Sequence, residues 1–309
     1  MAKTLITGGA GFIGSHLCDV LVARGDQVVV LDDLSLGKRE NLAQLEGRIE
    51  FIKDDVANVA AHASKLEGVT KIVHLAALIS GYDSLSQPDS YVKANITALL
   101  RVLELAKTLK NPRVVFASSS TVYGNADGAL CVETMLPAPV TLYALTKLAG
   151  EHLLEMYRGL YGYEYCALRL FNVYGPRQNP HHPYANVTCK FSHAAAGEGR
   201  VKLYGTGEQT RDFVAVDDVV RAMVRALEPT PSRLYNVGTG KDFSIKTLLG
   251  TVEKVAARKL EVEQLPPWSN DIKAIRADVQ RAKTELGLEA QTSLEEGLRR
   301  TVEFFRASR

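Results

Sequence analysis

Short runs rich in β-branched residues alternate along this chain with stretches long enough to form a helix. A strand followed by a helix and then by another strand is the unit of a parallel sheet that is buried on both faces. The alternation therefore predicts an α/β fold built on a doubly wound parallel sheet. The predicted strands are Thr4 to Thr7, Val28 to Leu31, Ile49 to Ile52, Lys71 to Leu75, Arg113 to Ala117 and Tyr165 to Leu170. The predicted helices are Ile13 to Arg24, Ala98 to Lys110 and Ala144 to Leu160.

The composition of the sequence changes after Gly175-Pro176. Residues 176–183 are polar and rich in proline, and they show no helix or strand periodicity. We expect a first domain over residues 1–168 and a mainly substrate-binding, smaller α/β domain over 169–309. A later run, Leu234 to Val237, has strand character and is expected to return to the first sheet. The two domains would then be interleaved.

The composition excludes several classes of protein. The 309 residues are 46% hydrophobic and 23% charged, which rules out disordered and fibrous chains. A net charge of +2 creates no field that would attract nucleic acid or an anionic membrane. Four scattered cysteines without a CxxC pair fit neither a disulfide framework nor a zinc site, so no metal is expected. With no export signal and no apolar span, a cytoplasmic protein is expected.

A glycine-rich turn, Gly8 to Gly14, follows the first predicted strand and fits both GxGxxG and GxxGxxG spacing. Glycines there let the turn close and a pyrophosphate approach the backbone, while the following helix supplies amide donors. A tight strand–helix connection without a ligand is the alternative. The second strand ends in Asp32-Asp33, near the spacing at which a carboxylate accepts the adenosine ribose hydroxyls. An acid repels a 2′-phosphate and favours NAD over NADP, although Lys38 and Arg39 lie just downstream.

Tyr143 and Lys147 lie four residues apart in a predicted helix, so their side chains share one face. A free phenol titrates near pH 10, and its use as a base near neutrality needs a pKa lowered by roughly 3 units, about 4 kcal/mol. A neighbouring ammonium group favours that change. Such a pair also occurs by chance. Here it follows a run of hydroxyl residues, Ser118 to Thr121, at the end of a predicted strand, where hydroxyls can relay a proton.

Taken together, the motifs resemble those of the extended short-chain dehydrogenase/reductases, and within them the NAD-dependent nucleotide-sugar epimerases, whose sheet is of the Rossmann type. The similarity runs from the first strand to about Leu286. It rests on the segments TGGAGFIGSH, Asp54-Asp55-Val56, His74-Leu75-Ala76-Ala77, Asn95, SSSTVYG, YALTK, the run from Arg169 to Arg177, and Thr210-Arg211-Asp212-Phe213-Val214.

The resemblance implies roles for individual residues. The catalytic group would be Ser119, Tyr143 and Lys147, with Tyr143 as the base. NAD would be held by Gly8, Gly11, Phe12, Ile13, Gly14, Asp32, Asp33, Asp55, Val56, Leu75, Ala76, Ala77, Asn95, Tyr143 and Lys147. A nucleotide sugar would be held by Ser119, Thr121, Asn172, Val187, Tyr204, Arg211 and Arg276.

Departures from the family pattern narrow the activity. Dehydratases of the family usually carry Asp-Glu where this chain has Ser120-Thr121, and decarboxylating relatives commonly carry Glu at the Thr121 position. The remaining prediction is 4-epimerisation of a neutral hexose such as UDP-glucose or UDP-galactose, since Asp83 lies where enzymes acting on uronic acids often have arginine. A dehydratase or reductase, and a catalytically silent NAD-binding scaffold, are the alternatives.

Other features bear on ligands and assembly. Trp268 replaces an arginine expected near the diphosphate, for which Arg276 or Arg177 are candidate substitutes, and Ile275 lies where the family controls pocket size. The insert 179–184, with two adjacent histidines, is interpreted as a solvated loop and not as a metal site. By resemblance, the helices Ile96 to Lys110 and Ala144 to Tyr161 would pair across a two-fold axis in a homodimer.

Overall fold

The structure, a computed structural model, describes residues 2–109, 112–126, 128–182, 185–231, 233–267 and 272–308. Its strands are β1 (Lys3–Thr7), β2 (Gln27–Leu31), β3 (Glu50–Ile52), β4 (Lys71–His74), β5 (Arg113–Ser119), β6 (Leu130–Cys131), β7 (Tyr165–Leu170), β8 (Asn172–Tyr174), β9 (Arg200–Tyr204), β10 (Thr210–Arg211), β11 (Phe213–Ala215), β12 (Leu234–Val237), β13 (Phe243–Ser244), β14 (Glu261–Leu265) and β15 (Ala274–Ala277).

The α-helices are α1 (Phe12–Ala23), α2 (Asp83–Ser86), α3 (Pro88–Tyr91), α4 (Ala98–Ala106), α5 (Leu142–Tyr161), α6 (Val187–Ala196), α7 (Val216–Ala226), α8 (Ile245–Ala256), α9 (Gln280–Leu286) and α10 (Leu294–Ala307). Three segments form 3₁₀-helix, Arg39–Leu45, Val56–Leu66 and Ser120–Tyr123, and one forms π-helix, Val92–Thr97. None of the helices in the described ranges is both long enough and apolar enough to cross a membrane.

The predicted doubly wound sheet is confirmed. Seven strands lie in the order β12-β7-β5-β4-β1-β2-β3. The registers of β1 with β2 and β4, of β2 with β3, and of β4 with β5 are all parallel. Because the order reverses between β1 and β4, the loops after these two strands leave the sheet at its switch point, where open α/β sheets bind ligands. The glycine-rich turn follows β1.

The chain divides into two compact units that interleave in sequence. Unit 1 comprises Met1–Val122, Pro137–Arg169 and Val220–Tyr235, and unit 2 comprises Tyr123–Leu136, Leu170–Val219 and Asn236–Arg309. One of the crossings between the units, after Arg169, lies next to the boundary expected at 168/169, whereas 123–136 groups with unit 2 and 220–235 with unit 1.

Each unit has its own apolar core. In unit 1, side chains of the sheet such as Leu5, Ile72 and Val114 are fully buried with Leu99 and Val102 of α4. The core of unit 2 is formed by aromatic and aliphatic side chains of α6, α8, α10 and the short strands, including Tyr174, Phe191, Phe213, Leu248 and Leu298. Consecutive residues of β1, β5 and β7 are buried, so both faces of the large sheet are covered and ligands are left the strand ends and their loops.

Candidate active site

The glycine-rich turn leaves no room for a Cβ atom at Gly8 or at Gly14. Gly8 has a left-handed φ of 74°, and a Cβ at this position would lie 2.7 Å from the backbone nitrogen of Ala76. A Cβ on Gly14 would overlap the carbonyl oxygen of Gly8. The turn therefore brings the start of α1 directly against the end of β1 and beside the loop after β4.

The α1 N-terminus and Asp32 together fit a dinucleotide. Gly11 is the N-cap of this 12-residue helix and has no side chain to occupy the first amides, which leaves them for a pyrophosphate. Asp32, buried at the end of β2, accepts hydrogen bonds from the backbone N–H groups of Ala10 (2.9 Å) and Leu34 (2.8 Å). Burial raises the pKa of this carboxyl, and the two N–H donors oppose the rise.

The neighbouring acidic and basic residues have other partners. Asp33 is exposed and accepts hydrogen bonds from the N–H and the hydroxyl of Ser35, 2.8 and 2.6 Å away. The guanidinium of Arg39 lies 4.1 Å from the ring centre of Phe51, a cation–π contact. Of the two cations considered as partners for a 2′-phosphate, Arg39 thus has a partner within the chain.

The remaining residues that the resemblance assigns to the cofactor are divided between loops and core. Asp55 Oδ1 caps the segment that follows it by accepting from Ala57 N–H, and Lys93 Nζ lies 3.3 Å from Asp55 Oδ2. The side chain of Val56 belongs to the core of unit 1. Phe12 and Ile13, at the start of α1, are half-buried.

The loop after β4 is held by Asn95. Its Oδ1 accepts from the Leu78 N–H at 2.8 Å, and its Nδ2 donates to the Leu78 carbonyl and to Thr146 Oγ1. Both amide hydrogens are therefore used within the protein. Asn95 thus ties the loop that carries Leu75 to Ala77 to the α5 helix.

The side chains of Ser119, Tyr143 and Lys147 come together where β5 meets the first turns of α5. The helix begins after Thr141, whose Oγ1 accepts from the Ala144 N–H at 3.2 Å. The Lys147 Nζ donates to the Ala117 carbonyl at 2.8 Å and lies 5.9 Å from the ring centre of Tyr143. The Ser119 side chain is a hydrogen-bonding neighbour of the Tyr143 phenol.

The electrostatics of this group differ from the expectation that Lys147 lowers the pKa of Tyr143. Burial raises the pKa of the phenol to about 12, the Ser119 hydrogen bond opposes the rise, and Tyr91 adds to it. Burial also lowers the pKa of Lys147 to about 8. The reason is that desolvation disfavours the charged form of both groups. The ammonium group alone therefore does not prepare the base.

The four consecutive hydroxyl residues do not form one relay. Ser118 Oγ donates to Glu151 Oε1 at 2.5 Å, on the next turn of α5 after Lys147. Thr121 Oγ1 donates to Ser119 Oγ at 2.9 Å, and the Thr121 N–H also points to that oxygen at 3.2 Å. Of the hydroxyls in this stretch, Ser119 and Thr121 are thus the two linked to Tyr143.

Unit 2 carries the other residues predicted to hold a nucleotide sugar. Asn172 begins β8, Val187 begins α6, and Tyr204 ends β9; all three are half-buried. Asn172 donates from both its backbone N–H and its Nδ2 to the Asp212 carbonyl. Arg211 Nη1 donates to the carbonyls of Thr210 and Ile272 at 2.8 and 2.6 Å, which fixes its guanidinium.

Arg276 is separated from Arg211 by the register of the small sheet. Arg211 is paired with Ile275 on the neighbouring parallel strand, so these two side chains share a face and Arg276 points to the other. Arg276 Nη1 lies 3.7 Å from Asp242 Oδ1, and Asp242 Oδ2 accepts from Thr210. The structure therefore does not bring Arg276 to Arg211 as a second diphosphate ligand.

Some of the sequence predictions fall partly or wholly outside the described residues. Trp268, which replaces an expected arginine, is outside the described residues. The insert 179–184 is described only to residue 182. In the described ranges, no group of three or more His, Cys, Asp or Glu side chains is arranged to hold a metal ion.

Known proteins are similar to this chain over nearly its whole length. A family model described as GDP-mannose 4,6 dehydratase matches residues 5–301. The UDP-glucose 4-epimerase of Mycolicibacterium smegmatis is 40% identical over 309 residues, which cover 98% of each chain. The UDP-glucuronate 4-epimerase of Thermodesulfobacterium geofontis is 32% identical, covering 98% of this chain and 95% of its own.

The chain belongs to the extended short-chain dehydrogenase/reductase family of NAD-dependent epimerases and dehydratases.

Solved members of this family share the fold over their full length. The UDP-glucose 4-epimerase of Thermotoga maritima, solved with UDP-glucose, superposes with a TM-score of 0.93 at 35% identity and 99% coverage of both chains. The enzyme of the same name from Thermus thermophilus, solved with NAD, has a TM-score of 0.92 at 34% identity, covering 99% of this chain and 100% of its own.

The contacts among several side chains around the family's catalytic group carry no local sequence signal. Glu151 accepts two hydrogen bonds from Arg169, 2.9 and 2.7 Å long, beneath Ser118. His74, fully buried, shares a 2.8 Å hydrogen bond with Thr7 Oγ1. The HLAA and YALTK motifs contain or adjoin these residues, but a motif does not tell which of its members contact each other.

Proposed function

We propose that the protein interconverts the C4 epimers of a UDP-activated neutral hexose, with UDP-glucose and UDP-galactose as the pair. The protein is an NAD-dependent nucleotide-sugar 4-epimerase, the class of the relatives that match it over 98% of its length. The observation that carries the proposal is the grouping of Tyr143, Ser119 and Lys147 in the same unit as a turn that fits NAD.

The binding roles are part of the proposal. In unit 1, the α1 N-terminus takes the pyrophosphate, Asp32 the adenosine ribose, and Lys147 the nicotinamide ribose. In unit 2, Arg211 neutralises the sugar-nucleotide diphosphate, for which a guanidinium fixed by two carbonyls is suited. Tyr204 packs on the base, while Asn172 and Val187 contact the nucleotide.

When bound, NAD supplies the hydride acceptor and donor, together with a positive charge. The chain's own residues handle the proton. As a phenolate, Tyr143 accepts the proton of the C4 hydroxyl, and Ser119 donates a hydrogen bond to the C4 oxygen. The 4-keto sugar then presents its other face, and Tyr143 returns the proton to the C4 oxygen. Because the proton and the hydride both return, the reaction consumes no cofactor.

The need for a second positive charge follows from the pKa of Tyr143. With this pKa at about 12, ionisation near pH 7 requires roughly 5 units, about 7 kcal/mol. This value already includes the Ser119 hydrogen bond, so the stabilisation of the phenolate would come from the positive charges of Lys147 and of bound NAD. We therefore expect Tyr143 to ionise only in the cofactor-loaded site, because an unpaired buried phenolate is costly in the free protein.

A dehydratase activity lacks its residues in this chain. The turn after β5, Ser120–Tyr123, presents a serine and a threonine and no carboxyl group. The hydroxyl proton of Thr121 is directed to Ser119. Elimination of water needs an acid and a base beside the leaving group, whereas in epimerisation the only proton moved, besides the hydride exchanged with NAD, is the one that Tyr143 accepts and returns.

A neutral sugar is favoured by Asp83. This half-buried carboxylate begins α2, and Tyr91 interacts electrostatically with both Asp83 and Tyr143. The loop before it packs on the start of the catalytic helix, since a Cβ on Gly81 would contact Thr141 at 3.4 Å. A uronate carboxylate bound with its C4 hydroxyl at Tyr143 would therefore lie near a like charge.

The test is a substrate panel followed by NMR: UDP-glucose and UDP-galactose, their N-acetylamino forms, and UDP-glucuronate and UDP-galacturonate. We expect the neutral hexose pair to interconvert and the uronates to react with a kcat/KM lower by about tenfold to a hundredfold. Asp83→Asn should reduce the difference in kcat/KM between the neutral hexoses and the uronates. Asp89→Asn, an exposed change on the neighbouring helix, should leave that difference unchanged. Faster turnover of the uronates by the unmodified protein contradicts the substrate proposal.

A homodimer is the second part of the proposal. The α5 helix exposes Leu145 (48%), Met156 (48%) and Leu160 (66%), whose spacing places them along one face of the helix. An exposed apolar stripe on a long helix is typical of a protein interface. An interface across a two-fold axis uses the same patch on both copies, so a stripe of this kind supports a second copy of the chain as the partner.

A further inference from the structure

Ser119 Oγ has a complete set of hydrogen-bonding neighbours. Two donors point at it from Thr121: the hydroxyl at 2.9 Å and the backbone N–H at 3.2 Å. The third neighbour is the Tyr143 phenol. Ser119 itself is 8% exposed, so water does not compete freely for these positions.

The direction in which the Ser119 hydroxyl donates its proton follows from these three neighbours. A serine hydroxyl accepts at two lone pairs and donates one proton. Thr121 fills both acceptor positions, which leaves the Ser119 proton to point towards Tyr143. Without the Thr121 hydroxyl, one lone pair of Ser119 is free, and Ser119 can equally accept a hydrogen bond from a protonated phenol.

We propose that Thr121 is a positioning residue whose hydroxyl fixes Ser119 as a donor, first towards the Tyr143 phenolate and then towards the C4 oxygen of the sugar. This inference rests on the proposed function. It also replaces the direct sugar contact expected for Thr121, because the hydroxyl proton that such a contact would use is already given to Ser119.

The chain offers well-matched variants. Thr121→Val keeps the shape of the side chain and removes only the hydroxyl, and Thr121→Ser restores the hydroxyl. Ser120→Ala removes a hydroxyl from the adjacent residue of the same turn. Within the part of the chain that the structure describes, the Ser120 hydroxyl is bonded to neither Ser119 nor Tyr143, so Ser120→Ala is the control.

Several titratable groups surround the phenol. Lys147 lies on the same helix and Tyr91 on α3, while Asp83 faces Tyr91 and His74 faces Lys147. Thr121→Val alters none of them. A shift in the ionisation of Tyr143 in this variant therefore reports the loss of the hydrogen bond that orients Ser119.

The experiment measures kcat and KM of all four proteins against pH, with UDP-galactose as substrate. Thr121→Val should lower kcat at pH 7 by about threefold to tenfold, the value of one hydrogen bond. The acidic limb of its kcat–pH profile should move to higher pH by about half to one unit. Its KM should stay within about twofold of that of the unmodified protein. Thr121→Ser and Ser120→Ala should behave as the unmodified protein does.

Two kinetic outcomes overturn the inference. A raised KM with an unmoved acidic limb would make Thr121 a direct sugar ligand. An equal loss of kcat at every pH would make its role purely structural.

A second readout needs no turnover. Tyrosinate absorbance near 295 nm is followed against pH in the NAD-loaded protein, and the matching Tyr143→Phe curve is subtracted. The Tyr143 midpoint should be higher in the Thr121→Val background, and an unchanged midpoint overturns the inference. If the unmodified protein converts no UDP-hexose, the proposed function fails, and this titration still decides the role of Thr121.

Discussion

His74 is the residue whose surroundings are least expected from its type. It is 1% exposed, its ring stacks on Phe116 with centres 6.1 Å apart, and its Nε2 has no hydrogen-bond partner among the described residues. Burial, and next the charge of Lys147, lower the pKa of the imidazole to about 3. His74 is therefore neutral in the folded protein throughout the physiological range.

This neutral imidazole makes stability depend on pH. Below its ordinary pKa of 6.5 the unfolded chain binds a proton at His74 that the folded chain does not bind until about pH 3. The contribution of the neutral imidazole to the free energy of unfolding is fully present above pH 6.5. Below pH 6.5 this contribution decreases by about 1.4 kcal/mol per pH unit. Between pH 7 and pH 5, urea unfolding of the unmodified protein should lose about 2 kcal/mol more than that of His74→Asn.

The control for this prediction is His181→Asn, at an exposed histidine of unit 2. Its free energy of unfolding should fall with pH as steeply as that of the unmodified protein. Equal slopes for His74→Asn and the unmodified protein would show that His74 is not buried in its neutral form.

At the scale of elements, the catalytic helix is fixed to two neighbouring strands. Lys147 of α5 donates to the Ala117 carbonyl of β5, and one turn later Glu151 accepts from Ser118 of the same strand. Glu151 also accepts two hydrogen bonds from Arg169 of β7. The Glu151 and Arg169 side chains are 10% and 3% exposed. This buried pair sets the rotation and the height of α5, and hence the position of Tyr143.

Breaking the pair should be costly. Glu151→Gln leaves the Arg169 guanidinium buried without its counter-charge, and we expect the free energy of unfolding to fall by about 3 to 5 kcal/mol. Glu208→Gln breaks an exposed pair with Lys246, whose side chains are 67% and 70% exposed, and should cost at most about 1 kcal/mol. Chemical denaturation measures both, and equal losses would refute the assigned role of Glu151.

The periodic elements could be predicted from the sequence because their pattern is local. The predicted strands Tyr165–Leu170 and Leu234–Val237 match to the residue, whereas α4 ends at Ala106 and not at the predicted Lys110, which lies outside the described residues. The π-helical turn Val92–Thr97 was not predicted, since one irregular turn leaves the apolar spacing of a helix nearly unchanged.

In the site, too, features with a local sequence pattern could be predicted, and features that depend on tertiary contacts could not. The pairing of Tyr143 with Lys147 depends on one helix and is visible in the spacing. The opposite faces of Arg211 and Arg276 depend on strand register, and the raised pKa of Tyr143 depends on burial, so neither follows from the sequence. Motif matching located the residues, and tertiary contacts determine what they do.

For the whole molecule, the exposed stripe on α5 predicts the oligomeric state. Light scattering at micromolar concentration should give twice the chain mass. Met156→Glu and Leu160→Glu place charges in the proposed interface and should give monomers, because an unpaired charge is costly to bury there. Leu136→Glu, at a leucine that is 85% exposed in unit 2, should leave the dimer intact. Monomers of the unmodified protein would contradict the proposed dimer.

The central claim, that a hydride leaves C4 and returns to its other face, is tested most directly by proton NMR of UDP-galactose incubated with the protein in D₂O. We predict conversion to an equilibrium mixture with UDP-glucose in which C4 keeps its original hydrogen, and no conversion by Tyr143→Phe. Absence of conversion, or deuterium at C4 of the product, would contradict the account.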